Sequence, residues 1–205
     1  MINVLIVEDD PMASQLMEVY LSKGGNYNLV QTVESAMFAE VVCKSKPVDI
    51  VLMDVCTALN ANGIEAAKNI KKSFPEIKII IITSQPEHSF IERAKAAGVE
   101  SFWYKNGAAE ELLSVMERTI FGEKVYPETT PTVKLGDSYS EKLSDRELEV
   151  LREVVAGETD AAIAEKLHMS LRTVKQHIQS MRDKTGFRNR TELAVKARES
   201  GLVIN

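Results

Sequence analysis

A chain of 205 residues fits one large or two small domains, and 44% hydrophobic with 27% charged residues excludes a disordered chain or a fibre. Cys43 and Cys56, the only two cysteines, exclude a disulfide scaffold and suit a reducing compartment, so a cytoplasmic location is expected. The net charge of -5 hides an asymmetry: residues 1–130 hold 12 Lys/Arg against 18 Asp/Glu, whereas residues 166–198 hold nine against two, which keeps nucleic acid among the candidate partners.

Short β-branched or aromatic runs at Ile2–Val7, Tyr27–Val33, Asp49–Asp54, Ile77–Thr83 and Glu100–Trp103 predict strands. Between and after them, helical spacing predicts helices over Pro11–Leu21, Glu34–Cys43, Ile64–Phe74, Ser89–Ala97 and Ala109–Ile120. Runs such as Ile79–Ile82 are apolar throughout, as in parallel strands covered on both faces, and none approaches the ~20 residues that cross a bilayer. The start also lacks the basic region and small-residue cleavage site of a signal peptide. The expectation is a doubly wound, five-stranded parallel α/β domain over residues 1–122, followed by an all-α helix-turn-helix domain.

Residues 123–142, with Pro127, Pro131 and Gly136 and no sustained apolar period, are expected to form a linker. Residues 143–205 contain only helical patterns. Ser144-Asp-Arg-Glu147 is a capping box, Leu148, Leu151, Val154 and Val155 form an apolar stripe, and a short helix spans Asp160–Leu167. Ser170 is placed to cap Leu171–Lys184, Gly186 to stop it, and a last helix covers about Thr191–Ser200.

Glu8 and Asp9 close the first strand and Asp54 the third. In a sheet of order 2-1-3-4-5 those strands are neighbours at the switch point, so the carboxylates converge. Clustered carboxylates repel unless a cation joins them, and an oxygen-only donor set selects a hard ion such as Mg²⁺. Thr83 ends the fourth strand and Lys105 follows the fifth, bringing a hydroxyl and an ammonium to the same edge. Carboxylate nucleophile, Mg²⁺, hydroxyl and ammonium together suit in-line phosphoryl transfer.

Residues 1 to about 122 resemble the receiver domain of bacterial two-component response regulators, on Glu8-Asp9-Asp10, Leu-Met-Asp54, Thr83-Ser84 and Phe102-Trp-Tyr-Lys105. The resemblance implies that Asp54 accepts a phosphoryl group from a sensor histidine kinase. It also implies that Asp9, Asp54 and the Cys56 carbonyl ligate Mg²⁺, with Glu8 acting through water. Thr83 and Lys105 would hold phosphoryl oxygens, and Thr83 and Phe102 would form the switch. The loop after the acceptor departs from the family pattern: Asp54-Val-Cys-Thr-Ala-Leu-Asn-Ala-Asn-Gly63 lacks Met-Pro and is one residue longer. Asn106 also stands where many receivers have proline after the lysine.

Residues 143 to about 195 resemble the LuxR-type helix-turn-helix of the NarL/FixJ class, on Leu143-Ser-x-Arg146-Glu147, Gly157, Ile163-Ala164, Ser170 and Thr173-Val174-Lys175-x-His177-Ile178. In the Leu171–Lys184 helix, Val174, Ile178 and Met181 face inward. Arg172, Lys175, Gln176, Gln179 and Arg182 turn outward, where Lys suits guanine and Gln suits adenine. Ser170, Thr173, Lys184, Arg188 and Arg190 are candidate phosphate contacts. His88 and His168 are expected at the surface or in turns, and His177 packed.

These readings predict a phosphorylation-switched regulator that dimerises on promoter DNA and is not an enzyme. Dimerisation would run through the Thr83/Phe102 edge or through Leu193, Ala194 and Ala197 of the last helix. An alternative keeps the fold but makes the receiver weakly phosphorylated or unphosphorylated, binding DNA as a constitutive dimer. A phosphatase of the haloacid dehalogenase type needs a second Asp two residues after the nucleophile, and Cys56 stands there.

Overall fold

Alternation along each strand decides which helices cover which face of the sheet. A computed structural model describes the chain apart from Pro86, Asn106, Gly107, Gly201, Ile204 and Asn205 and the side chains of Asn60 and His88. The expectation for Asn106 therefore lies outside the described residues, as does the surface exposure expected for the His88 side chain. The chain forms two compact units, Met1–Ser84 with Ser89–Glu128, and Thr129–Asn205 with Gln85–His88.

In the first unit, β1 (Ile2–Val7), β2 (Tyr27–Val33), β3 (Ile50–Asp54), β4 (Lys78–Thr83) and β5 (Ser101–Tyr104) form one parallel sheet in the order 2-1-3-4-5. Leu5, Val7, Val51, Met53, Ile79, Ile81 and Phe102 pack with α2 (Ala39–Ser45), α3 (Gly63–Ser73) and α4 (His88–Ala96). The intervening Val4, Ile6, Ile50, Leu52, Ile80, Ile82 and Trp103 pack with α1 (Pro11–Gly24) and α5 (Ala109–Ile120). Each fully buried aliphatic side chain of these strands contributes roughly 1.5–3 kcal/mol, which anchors the strand ends that carry the polar residues.

The segment expected as one helix over Glu34–Cys43 is instead a 3₁₀ turn at Ala36–Phe38 running into α2. At the start of this turn the Ala36 N–H donates to Thr57 Oγ1 (2.9 Å), on the loop after β3.

The second unit is built from α6 (Asp145–Val155), α7 (Asp160–Lys166), α8 (Leu171–Thr185) and α9 (Arg190–Glu199). Its core joins Leu148, Leu151, Val154, Ile163, Val174, Ile178, Met181, Leu193 and Ala197. The Ser144–Glu147 capping box forms, Ser170 accepts from the Thr173 N–H, and Gly186 stops α8 at φ 75°.

Two expectations are corrected here. Both ends of the expected linker are structured. Val125 caps the open edge of β5: its carbonyl accepts from the Phe102 N–H (2.8 Å) and its N–H donates to Ser101 Oγ (3.1 Å). Tyr126 donates its hydroxyl to the Val99 carbonyl (2.6 Å). Further on, Lys134–Leu135 and Ser138–Tyr139 form a hairpin that buries Leu135 in the helical core. Gly136 at its turn has φ 61°, and a Cβ there would lie 2.1 Å from the Thr185 carbonyl oxygen. Second, the apolar strip of the last helix is not a free surface, because Leu193 and Ala197 are fully buried in their own unit. The exposed apolar residue on α9 is Val195.

Candidate functional site

Sequence order alone sorts the three acids at the end of β1. Asp10, with Pro11 at the first helical position, caps α1 by accepting from the Met12 N–H (2.8 Å). Glu8 is buried by Val7 and the sheet, and its backbone N–H is held by the Val33 carbonyl (2.9 Å). Asp9 stays exposed. Asp54 ends β3 beside β1, and carboxylate oxygens of Glu8, Asp9 and Asp54 lie within 4.8 Å of one another.

Lys105 closes this pocket from the far side of the sheet. Its backbone N–H donates to the Thr83 carbonyl (2.9 Å), and its Nζ lies 3.0 Å from Asp54 Oδ2 and also pairs with Glu8. Burial pushes the Asp54 carboxyl up to about 7; Lys105 opposes the shift, and Glu8 reinforces it. Lys105 is itself raised, because the attraction of Asp54 and Glu8 outweighs its burial. Two carboxylates thus share one ammonium in a half-dry pocket, an arrangement that favours a further cation bound by hard oxygen donors. Thr83 is buried at the end of β4, one residue beyond the partner of Asp54 in the β3–β4 register. Phe102 is buried with its ring edge-on to Tyr104, centroids 5.1 Å apart.

The loop that departs from the receiver pattern is a small antiparallel hairpin, Cys56–Thr57 against Ala61–Asn62, around a 3₁₀ turn. Leu59 takes up the extra residue with φ 64°, exposed to solvent. Thr57 Oγ1 donates to the Ala61 carbonyl (2.9 Å) while accepting from Ala36, and Asn62 caps α3. Gly63 follows because nothing larger fits: a Cβ there would sit 1.8 Å from the Asp54 carbonyl oxygen.

In the second unit, Arg172, Lys175, Gln176 and Gln179 are exposed on α8, and with Leu171 they line one shallow groove. Ser170 and Arg188 are exposed, and Thr173 is half-buried. The cations expected to contact DNA do not share one fate. Arg172, Lys175 and the Arg188 side chain make no ion pair among the described residues, whereas Lys184 pairs with buried Glu147. Arg190 pairs with Asp160 (2.8 Å). Arg182 donates to Gln179 (3.1 Å) and to the carbonyls of Phe187 and Arg188, and Gln179 also donates to Asp183 (2.7 Å). His177 is half-buried, and His168 is an exposed turn residue at φ 53°.

The family profile "Response regulator receiver domain" matches residues 4–117, and "Bacterial regulatory proteins, luxR family" matches residues 141–197. The chain belongs to the response regulator family. Among curated relatives, response regulator protein VraR of Staphylococcus aureus is 32% identical over 211 residues, covering 98% of this chain and 99% of that protein. Solved structures share the fold. RcsB of Salmonella enterica serovar Typhimurium, described as bound to promoter rprA in the presence of phosphomimetic BeF₃⁻, matches with TM-score 0.59 and 24% identity over 95% of this chain and 96% of that one. Response regulator ChrA of a heme-sensing two-component system matches with TM-score 0.54 and 22% identity over 98% of each chain.

This response regulator thus joins a receiver domain to a LuxR-type DNA-binding domain, the organisation of a transcription regulator rather than of an enzyme family. Receiver domains bind Mg²⁺ at an acidic pocket, and the all-oxygen set of Glu8, Asp9 and Asp54 fits that ion. No described helix is long and apolar enough to cross a membrane.

Proposed function

We propose that this response regulator is phosphorylated on Asp54 by a sensor histidine kinase, dimerises, and binds promoter DNA through the exposed face of α8, acting in the cytoplasm. The observation that carries the reading is the convergence of Asp54, Glu8, Asp9 and Lys105 at one sheet edge, in a chain whose other unit exposes Arg172 and Lys175 on α8. The working division follows the two compact units, a receiver domain that reaches Glu128 and a DNA-binding domain from Thr129 that includes the Lys134–Tyr139 hairpin.

An Asp54 carboxylate oxygen attacks the phosphorus of a phosphohistidine. The new P–O bond forms as the P–N bond breaks, and the imidazole leaves with the electron pair and takes up a proton. Asp9, Asp54 and the Cys56 carbonyl would hold Mg²⁺, with Glu8 acting through water; when bound, the ion neutralises charge on the transferring oxygens. Lys105, already at 3.0 Å from Asp54, is placed to pair with the phosphoryl group. Thr83 supplies a hydroxyl donor, and with Phe102 it forms the switch that senses the new charge.

On DNA, Lys175, Gln176 and Gln179 suit base edges, and Ser170, Arg172, Thr173 and Arg188 suit the backbone. Arg182, Lys184 and Arg190 begin from partners within their own unit, which pre-empts part of their charge and hydrogen bonding. One such domain buries limited surface, so pairing two raises avidity by ~10²–10⁴. Leu193 and Ala197 are buried, and so are Thr83 and Phe102, so either expected joint would form through the surface around these residues rather than through their side chains.

The test is mass-shift detection of phosphoprotein with a phosphodonor, followed by sedimentation with and without beryllofluoride and Mg²⁺. The expected result is a shift in wild type, none in Asp54→Asn, and dimer only on activation. A full shift in Asp54→Asn refutes the assignment, and a constitutive dimer without any shift selects the unphosphorylated alternative.

A further inference from the structure

Glu147, near the start of α6, is 3% exposed, yet polar groups converge on it from two elements. The Ser144 N–H and hydroxyl donate to Oε2 (2.7 and 3.1 Å), closing the capping box. From α8, Ser180 Oγ donates to Oε1 (2.7 Å), and Lys184 Nζ reaches Oε1 and Oε2 (2.8 and 2.7 Å). Lys184 donates also to the Lys142 carbonyl (3.0 Å).

Lys184 gives its hydrogens to the Glu147 carboxylate and the Lys142 carbonyl, so its charge is already neutralised within this unit before any phosphate approaches. Ser180 and Lys184 stand four residues apart on one stripe of α8, which turns that stripe toward α6. Although burial alone would raise it, Glu147 is held below the ordinary carboxylate range by Lys184, Ser144 and Ser180, so it stays ionised in the pair.

Apolar packing of Val174, Ile178 and Met181 holds α8 down but is weakly directional, whereas a satisfied polar cluster admits one geometry. At the ~5 Å outer radius of a helix, a rotation of ~20° moves a side-chain head by roughly 2 Å, which is more than a hydrogen bond to a base edge tolerates.

We infer that Glu147, Ser180 and Lys184 form a polar latch that fixes the rotation of α8, making Glu147 and Lys184 positioning residues for base reading and removing Lys184 from the phosphate contacts. The inference rests on the proposed DNA-reading role of α8. Lys184 then acts on DNA only through the angle at which it holds Lys175 and Gln176.

The test uses the full chain, a duplex selected by the wild-type protein from a random-sequence pool, and a mixed-sequence duplex. Affinity for both is measured against salt, with unfolding midpoints recorded in parallel. Lys184→Met and Glu147→Gln, the latter keeping the capping box, are each expected to lower the selected-to-mixed affinity ratio about tenfold with an unchanged salt slope. The double variant should lose no more than either single one, as for members of one network. Arg188→Ala, by contrast, should flatten the slope by about one without changing the ratio. Ser180→Ala keeps the ion pair and the fold, and is expected to lower the ratio about twofold even if Lys184→Met fails to fold. A slope in Lys184→Met that falls by about one makes Lys184 a phosphate ligand and overturns the latch. So does an unchanged ratio in folded Lys184→Met, folded Glu147→Gln or Ser180→Ala. Failure of the wild type to select any sequence overturns the DNA-reading role itself, and the latch with it.

Discussion

Gly63→Ala is expected to damage the receiver through the Asp54 backbone rather than through conformational preference. Gly63 has no left-handed φ, so alanine costs nothing there on backbone grounds; the cost is contact. The new Cβ would lie 1.8 Å from the Asp54 carbonyl oxygen and 2.9 Å from Met53 Cγ. An ordinary carbon–oxygen contact is about 3.3 Å, so the start of α3 or the end of β3 must move by roughly 1.5 Å. That movement breaks the Gly63 N–H to Val55 carbonyl bond (2.8 Å) and swings Asp54 away from Lys105. Overpacking costs about 1–3 kcal/mol and a lost hydrogen bond about 1 kcal/mol, a total of about 3 kcal/mol, or roughly 10 °C in the receiver's unfolding midpoint. Thermal unfolding checks the stability, and beryllofluoride titration with Mg²⁺, followed by Trp103 fluorescence well below the midpoint, checks the pocket. Gly98→Ala is the control: its φ is +80°, with nothing within 4 Å of a Cβ, so it should cost about 1 kcal/mol and leave beryllofluoride binding intact. A Gly63→Ala protein with wild-type midpoint and wild-type beryllofluoride binding would refute the steric argument.

Asp54, raised to about 7 by burial, favours the protonated folded state, so the metal-free protein is expected to be most stable below about pH 4 as far as this group is concerned, losing that contribution as pH rises through 7. Asp54→Asn should flatten the trend and raise the midpoint at pH 8, and chemical unfolding across pH in chelator tests it; an unchanged pH profile would contradict the burial argument. Tyr126→Phe removes the hydroxyl bond to Val99 and is expected to speed amide exchange at Phe102, whose N–H is held by Val125; unchanged exchange would show that Val125 docks on β5 without it. Lys175→Ala is expected to cost about 1–3 kcal/mol at a selected site and to relax base preference there. Unchanged affinity and footprint would remove α8 from the groove.

Short, wholly apolar runs separated by helical spacing leave few alternatives to a doubly wound sheet, and the strand order then brings Asp54 beside Glu8 and Asp9, although 45 residues part Asp54 from Asp9 in sequence. The capping residues Ser144, Ser170 and Gly186 were equally legible, because a cap is a local bond between near neighbours. The hairpin at Leu135-Gly-Asp-Ser138 carried a readable signal too, Gly-Asp between short runs, that the linker-like composition around it obscured.

What only the tertiary structure decided is which polar groups are already spent. Along the sequence, Lys184, Arg188 and Arg190 are equivalent candidate phosphate contacts; in the fold, Lys184 is held by Glu147 and Lys142 and Arg190 is paired with Asp160, while the Arg188 side chain makes no ion pair among the described residues. Leu193 and Ala197 read as an exposed strip until the other helices closed over them. Thr57, unremarkable in sequence, became the hydroxyl that ties the loop after Asp54 to Ala36. Local patterning reports what a residue prefers within a turn or two of its own element. The partner that satisfies a buried or long-reaching polar group comes from a distant part of the chain, and only packing brings the two together.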